Sequence, residues 1–523
     1  MTQTESTAAP GWRQTARELL DRRVLSMLFL GFSAGIPLLL IFSSLSLWLR
    51  EAGIERQAVT FFSWAALGYS FKFVWAPLID KLPLPLLTRT LGRRRAWLLT
   101  AQLAIVTAIL LMSQVDPAAG GDELVRMAFA AVMLGFSAAT QDIVIDAYRI
   151  ESAEPRLQAL MSSTYIAGYR IGMVVSGAGA LVLASHFGSE AGHYSYQAWQ
   201  ATYLSMAATM LVGLVTTLLI REPESKRAAL HHYSTLDYLR LVLVFACMAG
   251  AFVAGFFFSG PAIAALEAAT GQGVLIDFAF EAGHFLFAVG AAVLAGWSLV
   301  RVGAINRAMA RETWIEPVQD FFQRYGLKTA LLLLALIGLY RISDIVLGVI
   351  SNVFYQDIGF TKPQIATAVK TFGVIVSIVG GLLGGLLATR YGVMRILMAG
   401  AVLSSAAQLI FILLAKAGPD LFLLYVAVGA DNLVAGLASS AFVAFLSSLT
   451  SVSFTAVQYA IFSSLMTLIP KLLGGYSGTI VGAIGYPGFF VFTCLIGVPV
   501  ILLVWLAGRR LAIADPGRKD LGD

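Results

Sequence analysis

The stretch YSFKFVWAPLID, residues 69–80, places one lysine, Lys72, inside an apolar run with no carboxylate within a helical turn of it. In a soluble core helix such a lysine turns to solvent. In a membrane span its burial needs a partner, a water-filled cavity or a function. Composition decides between the two settings. The 523 residues are 58% hydrophobic and 13% charged, with a mean hydropathy of +0.80, whereas soluble domains carry about 25% charged residues. Apolar runs of roughly 20 residues, enough to cross about 30 Å of hydrocarbon as a helix, recur from end to end. Twelve spans of shared character are read at about 25–48, 58–78, 96–114, 126–147, 158–184, 199–219, 329–352, 364–389, 393–415, 420–446, 455–482 and 487–508. Two more, at about 241–265 and 280–301, fall between the sixth and the seventh. The chain reads as an all-α polytopic membrane protein of about fourteen helices.

The first 24 residues are polar and charged, and the first apolar run is a full span, so no cleavable signal peptide is expected. Cys247 and Cys494 both fall within spans, which gives no disulfide framework. A net charge of +6 and a pI near 9.2 would suit nucleic acid, but the basic residues are distributed for another purpose. Most lie in alternate loops: Arg13 to Arg23, Lys81 to Arg95, Arg149 and Arg156, Arg221 to Arg240, Arg301 to Lys328, Arg390 and Arg395, and from Arg509 onward. The positive-inside rule then puts both termini in the cytoplasm, with membrane lipid rather than nucleic acid as the partner.

Six spans, a long basic connection and six more spans imply two halves. The expected organisation is a cytoplasmic segment at 1–24, a six-helix bundle at 25–221, a central segment at 222–328, a second bundle at 329–508 and a tail at 509–523. An echo between the halves supports this, since IDKLPLPLLTRTLGRRR follows the second span and ATRYGVMR the eighth. Paired halves around a central cavity are the plan of many transporters. The central segment holds the extra helix pair, expected to be peripheral, with Glu267, Asp277 and Glu281 near its external connection. Trp314, Ile315, Val318, Phe321 and Phe322 alternate with charges there, as in an amphipathic helix on the membrane surface. His231 and His232 lack further ligands nearby and read as an exposed loop pair.

Ionisable side chains within spans are functional candidates by default. The cations are Lys72, Arg170, Arg341, Lys370 and Lys471, and the acids are Asp142, Asp146, Asp344 and Asp431. Arg170, Arg341, Asp344 and Asp431 each lie about a dozen residues into their spans, near the midplane at about 1.5 Å per residue. Substrate or proton handling is set against a closed ion pair that only fixes packing, for which Arg341 and Asp344, three apart, are best placed. Lys72 is within snorkelling reach of the cytoplasmic end. Lys471 follows Pro470 beside a glycine-rich stretch, where a loosened helix can line a cavity. Asp142 and Asp146, four apart, share a helical face, and two close carboxylates resist joint ionisation. Gly168, Gly172 and Ser176 have small-xxx-small spacing for close helix packing. No metal-ligand cluster and no phosphate-cradling Gly-Lys-Ser/Thr loop is present, so neither a metal, a cofactor nor ATP drive is expected. A membrane-embedded transferase using the Asp142/Asp146 pair lacks a second acidic motif.

The stretches LGFSAGIP, YSFKFVWAPLID, LGRRRAW, QDIVIDA, GYRIGM, PVQDFF, YRISD, SAFVAFL and FTAVQYA resemble the AmpG family of muropeptide permeases within the major facilitator superfamily. The acetyl-CoA transporter branch has versions of FKFVWAPLID and QDIVIDA, so those two alone do not choose a substrate. The resemblance implies a monomeric importer in a bacterial inner membrane, carrying anhydro-muropeptides from periplasm to cytoplasm with protons. By position it puts Lys72, Trp75, Asp142, Arg170, Arg341, Asp344 and Lys370 in family motifs. For such an anionic, sugar-bearing cargo the expected substrate-binding residues are Tyr69, Lys72, Trp75, Tyr165, Arg170, Tyr340, Arg341, Lys370 and Lys471, with Arg able to bind carboxylates in two-pronged fashion. The expected proton carriers are Asp142, Asp344 or Asp431. Gating falls to Asp80, Arg93, Arg94, Arg95, Asp146 and Arg149. Asp431 stands where the family pattern has Glu, and the inserted helix pair is absent from shorter members. Another anionic conjugate such as acetyl-CoA, or drug–proton antiport, are the rival readings.

Overall fold

The computed structural model describes residues 17–55, 62, 67–189, 193–223, 233–270, 274–474 and 476–514. They are helical almost throughout, with no β-strand among them. Thirteen helices among the described residues are long and apolar enough to cross a membrane. The second span does not enter that number, because most of 58–66 lies outside the described residues. The His231–His232 pair and the side chains of Glu267, Asp277 and Glu281 lie outside them too.

The chain forms two compact units, one of Met1–Ser225 with Phe321–Asp523 and one of Lys226–Asp320. The first unit has two hydrophobic cores, one for each set of six spans. One core gathers Trp48, Trp199 and Tyr203 with Ile105, Met112 and Leu134. The other gathers Tyr340, Phe354, Phe411, Phe442 and Phe490, and reaches across to Ile150 and Ala159 of the first half. Apolar side chains bury against each other because the outer faces of the same helices are left to lipid, where Phe129, Val182 and Leu413 are exposed.

Close backbone contact sets how the first and fifth spans cross. A Cβ on Gly168 would stand 1.9 Å from the Leu28 carbonyl oxygen, and one on Gly31 would stand 2.2 Å from that of Tyr165. The small residues therefore do act in packing, as membrane helices use them. This contact fixes the register of the helix Pro155–Val174, which carries Tyr165, Tyr169 and Arg170.

The spans that carry candidate residues are interrupted beside them. In the second span a 3-10 turn, Lys72–Val74, separates the helices Leu67–Phe71 and Ala76–Lys81. Pro77 lacks the N–H that would close the preceding turn. In the seventh, the helix Glu316–Leu339 turns at Gly326, with φ of 70°, and Arg341 sits in a second break before Ile342–Asp357. A wide π turn, Ala366–Phe372, holds Lys370 in the eighth span, and another, Val175–Gly179, follows Arg170 in the fifth. Such turns are often found at functional sites.

In the second unit the helices Thr235–Thr270 and Val274–Arg301 pack as a pair. The His284 ring stacks on Phe256 at 4.1 Å, and its Nε2 lies 2.7 Å from the Phe256 carbonyl oxygen. Phe257, Phe258, Leu286 and Phe287 are exposed.

Gly168→Val should lower the folded yield and the detergent melting temperature, overpacking costing about 1–3 kcal/mol. Gly250→Ala, whose new Cβ would meet nothing within 4 Å, should leave both unchanged.

Candidate transport site

Lys72 is 6% exposed; the break in its helix brings it to the fourth span, not to the headgroups. Its Nζ lies 3.7 Å from an Asp146 carboxylate oxygen, and its charge also acts on Asp142. The carboxylate missing from its own helix is thus supplied by the helix Gly121–Ser152. Around Asp142 stand three tyrosines. The Tyr165 hydroxyl donates to it at 3.4 Å, while Tyr69 and Tyr169 face it electrostatically. The Tyr69 hydroxyl is buried with no hydrogen-bond partner among the described residues. Trp75 is buried, packs its ring at a tilt against Phe136 with centroids 4.5 Å apart, and donates from Nε1 to Thr140 at 3.1 Å.

Asp146 has a second cation. Arg149, one turn further on and fully buried, donates to it at 3.2 Å. The same guanidinium reaches Ser162 at 3.1 Å and Ser447, on the tenth span, at 2.6 Å. It also lies 5.2 Å from the centre of the Tyr459 ring on the eleventh span. A second network lies beside it. Arg94 donates to Asp80 at 2.8 Å and to Glu151 at 2.5 Å, and is 1% exposed. Glu151 accepts from Thr455 at 2.7 Å, and Asp80 accepts from the Val457 backbone N–H at 3.1 Å. Arg93 donates to the Asp80 carbonyl at 2.7 Å. Both networks join the first half to the second at the ends where the basic loops emerge. Arg95 works elsewhere, donating to the carbonyls of Thr217 and Leu218 at the end of the sixth span.

In the second half, Arg341 Nε lies 3.8 Å from Asp344, whose other oxygen accepts from Ser404. Asp431 faces both residues electrostatically and has no hydrogen-bond partner among the described residues. Tyr340 is packed against Phe442 at 4.4 Å, its hydroxyl donating to the Leu397 carbonyl. Arg170, half-buried, has no acidic partner among the described residues; the charge nearest to it electrostatically is that of Arg341, from the opposite half. Lys471 donates to Ser70 at 3.3 Å across the halves. Lys370 is exposed.

The structure therefore gathers Tyr69, Lys72, Asp142, Asp146, Arg149 and Tyr165 into one cluster, and Arg341, Asp344 and Asp431 into another. Arg170 stands between the two. Sequence reasoning missed Glu151, Ser447, Thr455 and Tyr459. Glu151 lies two residues past Arg149, and FTAVQYA carries both Thr455 and Tyr459; only the fold shows that these stretches meet. Among the described residues no group of three or more His, Cys, Asp and Glu side chains converges as metal ligands would.

Comparison with solved structures places this geometry in a known fold. A double tryptophan variant of the transporter XylE superposes with a TM-score of 0.60 at 10% identity, covering 94% of this chain and 96% of that one. The fucose:proton symporter FucP of Escherichia coli gives 0.54 at 12% identity, covering 94% and 99%. The chain has the major facilitator fold. A family model described as acetyl-coenzyme A transporter 1 matches residues 24–221. Over nearly the whole length, the chain is 27% identical to "Putative transporter AmpG 4" of Rickettsia felis, covering 94% of this chain and 98% of the relative. It is 29% identical to the anhydromuropeptide permease of Escherichia coli K12, covering 93% and 79%. The chain is thus similar, over nearly its whole length, to proteins named AmpG or anhydromuropeptide permease. It is a multi-pass membrane transporter.

Arg94→Met would leave Asp80 and Glu151 buried without their shared cation. Breaking a buried pair this way costs about 3–5 kcal/mol, to be read as a lowered melting temperature in detergent. Arg89→Met, at an exposed position, should leave the melting temperature unchanged.

Proposed function

We propose that the protein imports anhydro-muropeptides across a bacterial inner membrane by proton symport. In this reading the basic loops and both termini face the cytoplasm, and the two networks at the basic ends form the cytoplasmic gate. The observation that carries the reading is Arg170 facing Arg341 from opposite halves. Two guanidiniums near each other, with Arg341 already drawn on by Asp344, favour a multiply anionic cargo. A guanidinium binds a carboxylate in a two-pronged fashion, and the peptide stem of a muropeptide carries several carboxylates. Tyr69 and Tyr165 offer ring faces and hydroxyls to sugars on the same side as Asp142.

Moving an anion toward a negative cytoplasm costs about 2.3 kcal/mol per charge per 100 mV. Symported protons offset that cost. Asp142 is the proton site favoured here, because Asp146 already holds Lys72 and Arg149 while Asp142, among the described residues, has a single long hydrogen bond. The similarity of residues 24–221 to the acetyl-coenzyme A transporter model keeps that anion as the second reading, since its phosphates suit the same arginines.

In proteoliposomes, an inward proton gradient should drive accumulation of labelled disaccharide–anhydro-peptide. Asp142→Asn should abolish the stimulation by the gradient. Arg170→Gln and Arg341→Gln should each reduce uptake about tenfold, the loss of one charge-assisted contact. Accumulation of labelled acetyl-CoA in place of the muropeptide would transfer the assignment to the second reading.

A further inference from the structure

The inserted helices Thr235–Thr270 and Val274–Arg301 run antiparallel, and three contacts fix their register: His284 on Phe256, Ala288 on Gly255 and Gly296 on Met248. Carried along the pair, that register brings Arg240, near the start of the first helix, to within about one turn of the depth of Arg301, the last residue of the second. The chain beyond Arg301 stays at the same end. Tyr233, just before the first helix, donates from its hydroxyl to Glu312 at 2.8 Å, and Arg307 lies between Arg301 and Glu312 in the chain.

One end of the pair therefore carries Arg240, Arg301 and Arg307. All three are exposed, and none has an acidic partner among the described residues. The acids nearby are engaged elsewhere. Asp237 accepts from the Ser234 hydroxyl at 2.7 Å, Glu312 from Tyr233, and Glu316 lies 3.7 Å from Arg311. The Arg301 guanidinium lies over the ring of Trp297, one turn earlier, at 4.0 Å from its centre. Trp297, Leu236, Leu239 and Val302 are exposed beside these arginines. Neither hydrocarbon nor bulk water alone suits such a mixture. A tryptophan with arginines at the end of a spanning helix belongs at the level of the lipid headgroups.

We propose that this end of the helix pair binds the headgroup of an anionic phospholipid. The lipid phosphate accepts from the Arg301 guanidinium, whose face rests on Trp297 while its edge is left to donate two parallel hydrogen bonds. Arg240 and Arg307 add positive charge without a compensating acid. That surplus favours a headgroup of net negative charge over a zwitterionic one, whose own cation is repelled. Basic sites between membrane helices bind anionic headgroups in this way. Further along the same helices, exposed Leu243 and Leu294 give the acyl chains an apolar surface. A free phosphate ion gains nothing from those leucines, so the occupant is a lipid. The inserted pair thus has a role apart from the cargo: it fixes the depth of the second unit and makes its stability depend on lipid composition.

Native mass spectrometry of the full chain in detergent, titrated with phosphatidylglycerol or phosphatidylcholine, tests this. Wild type should hold phosphatidylglycerol more tightly than phosphatidylcholine. Arg301→Gln should weaken the tightest phosphatidylglycerol about fivefold, and Arg240→Gln, Arg301→Gln and Arg307→Gln together about a hundredfold, each arginine contributing a similar share. Binding of phosphatidylcholine should not change, and the three corresponding lysine substitutions should keep the preference. The single variant keeps the test open if the triple one does not fold. Arg89→Gln, at an exposed position of the first unit, should have no effect. Equal affinity for the two lipids, an equal loss in Arg89→Gln, or displacement of phosphatidylglycerol by millimolar inorganic phosphate would overturn the proposal.

Discussion

A charge inside hydrocarbon must be matched by another charge, by hydrogen bonds or by water, and that requirement organises this protein. Arg94 and Arg149, each 1% exposed or less, can be buried because Arg94 holds the carboxylates of Asp80 and Glu151, and Arg149 holds that of Asp146 together with the hydroxyls of Ser162 and Ser447. Their carboxylates come from the first half, and the helices that complete the arrangement come from the second. The seam between the halves is therefore made partly of polar contacts, which are directional and can be exchanged one for another. An apolar seam of the same extent would have no such alternatives.

The second requirement is that helices approach closely enough to hold those charges in place. Gly31 and Gly168 bring the first and fifth spans to backbone contact, and this fixes Tyr165 and Arg170 relative to Asp142. Where a side chain must leave the regular helical direction, the helix is interrupted. Lys72 sits in a 3-10 turn before Pro77, Arg341 in a break, and Lys370 in a π turn. Regular helices build the two cores, and irregular ones aim the charges.

The two halves do not balance charge alike. In the first, Lys72 and Arg149 answer Asp146, and Arg170 has no acidic partner among the described residues. In the second, Arg341 pairs with Asp344 while Asp431 faces both, and Lys471 reaches over to Ser70 of the first half.

Much was legible from sequence because the bilayer is a demanding solvent. The length of the apolar runs, the alternation of basic loops and the depth of Arg170, Arg341 and Asp431 are one-dimensional facts with direct physical meaning. The second span's lysine could be read as expensive for the same reason. Sequence could not say who meets that expense, because Asp146 lies seventy-odd residues away and on another helix. Nor could it show Thr455 and Val457 closing on Glu151 and Asp80, since those contacts exist only where the two halves touch. Local patterning determined that the chain spans the membrane and which residues are costly there. The tertiary structure alone decided the pairing, because a buried charge takes its partner from whichever helix packing brings within about 4 Å, and that distance is not written along the chain.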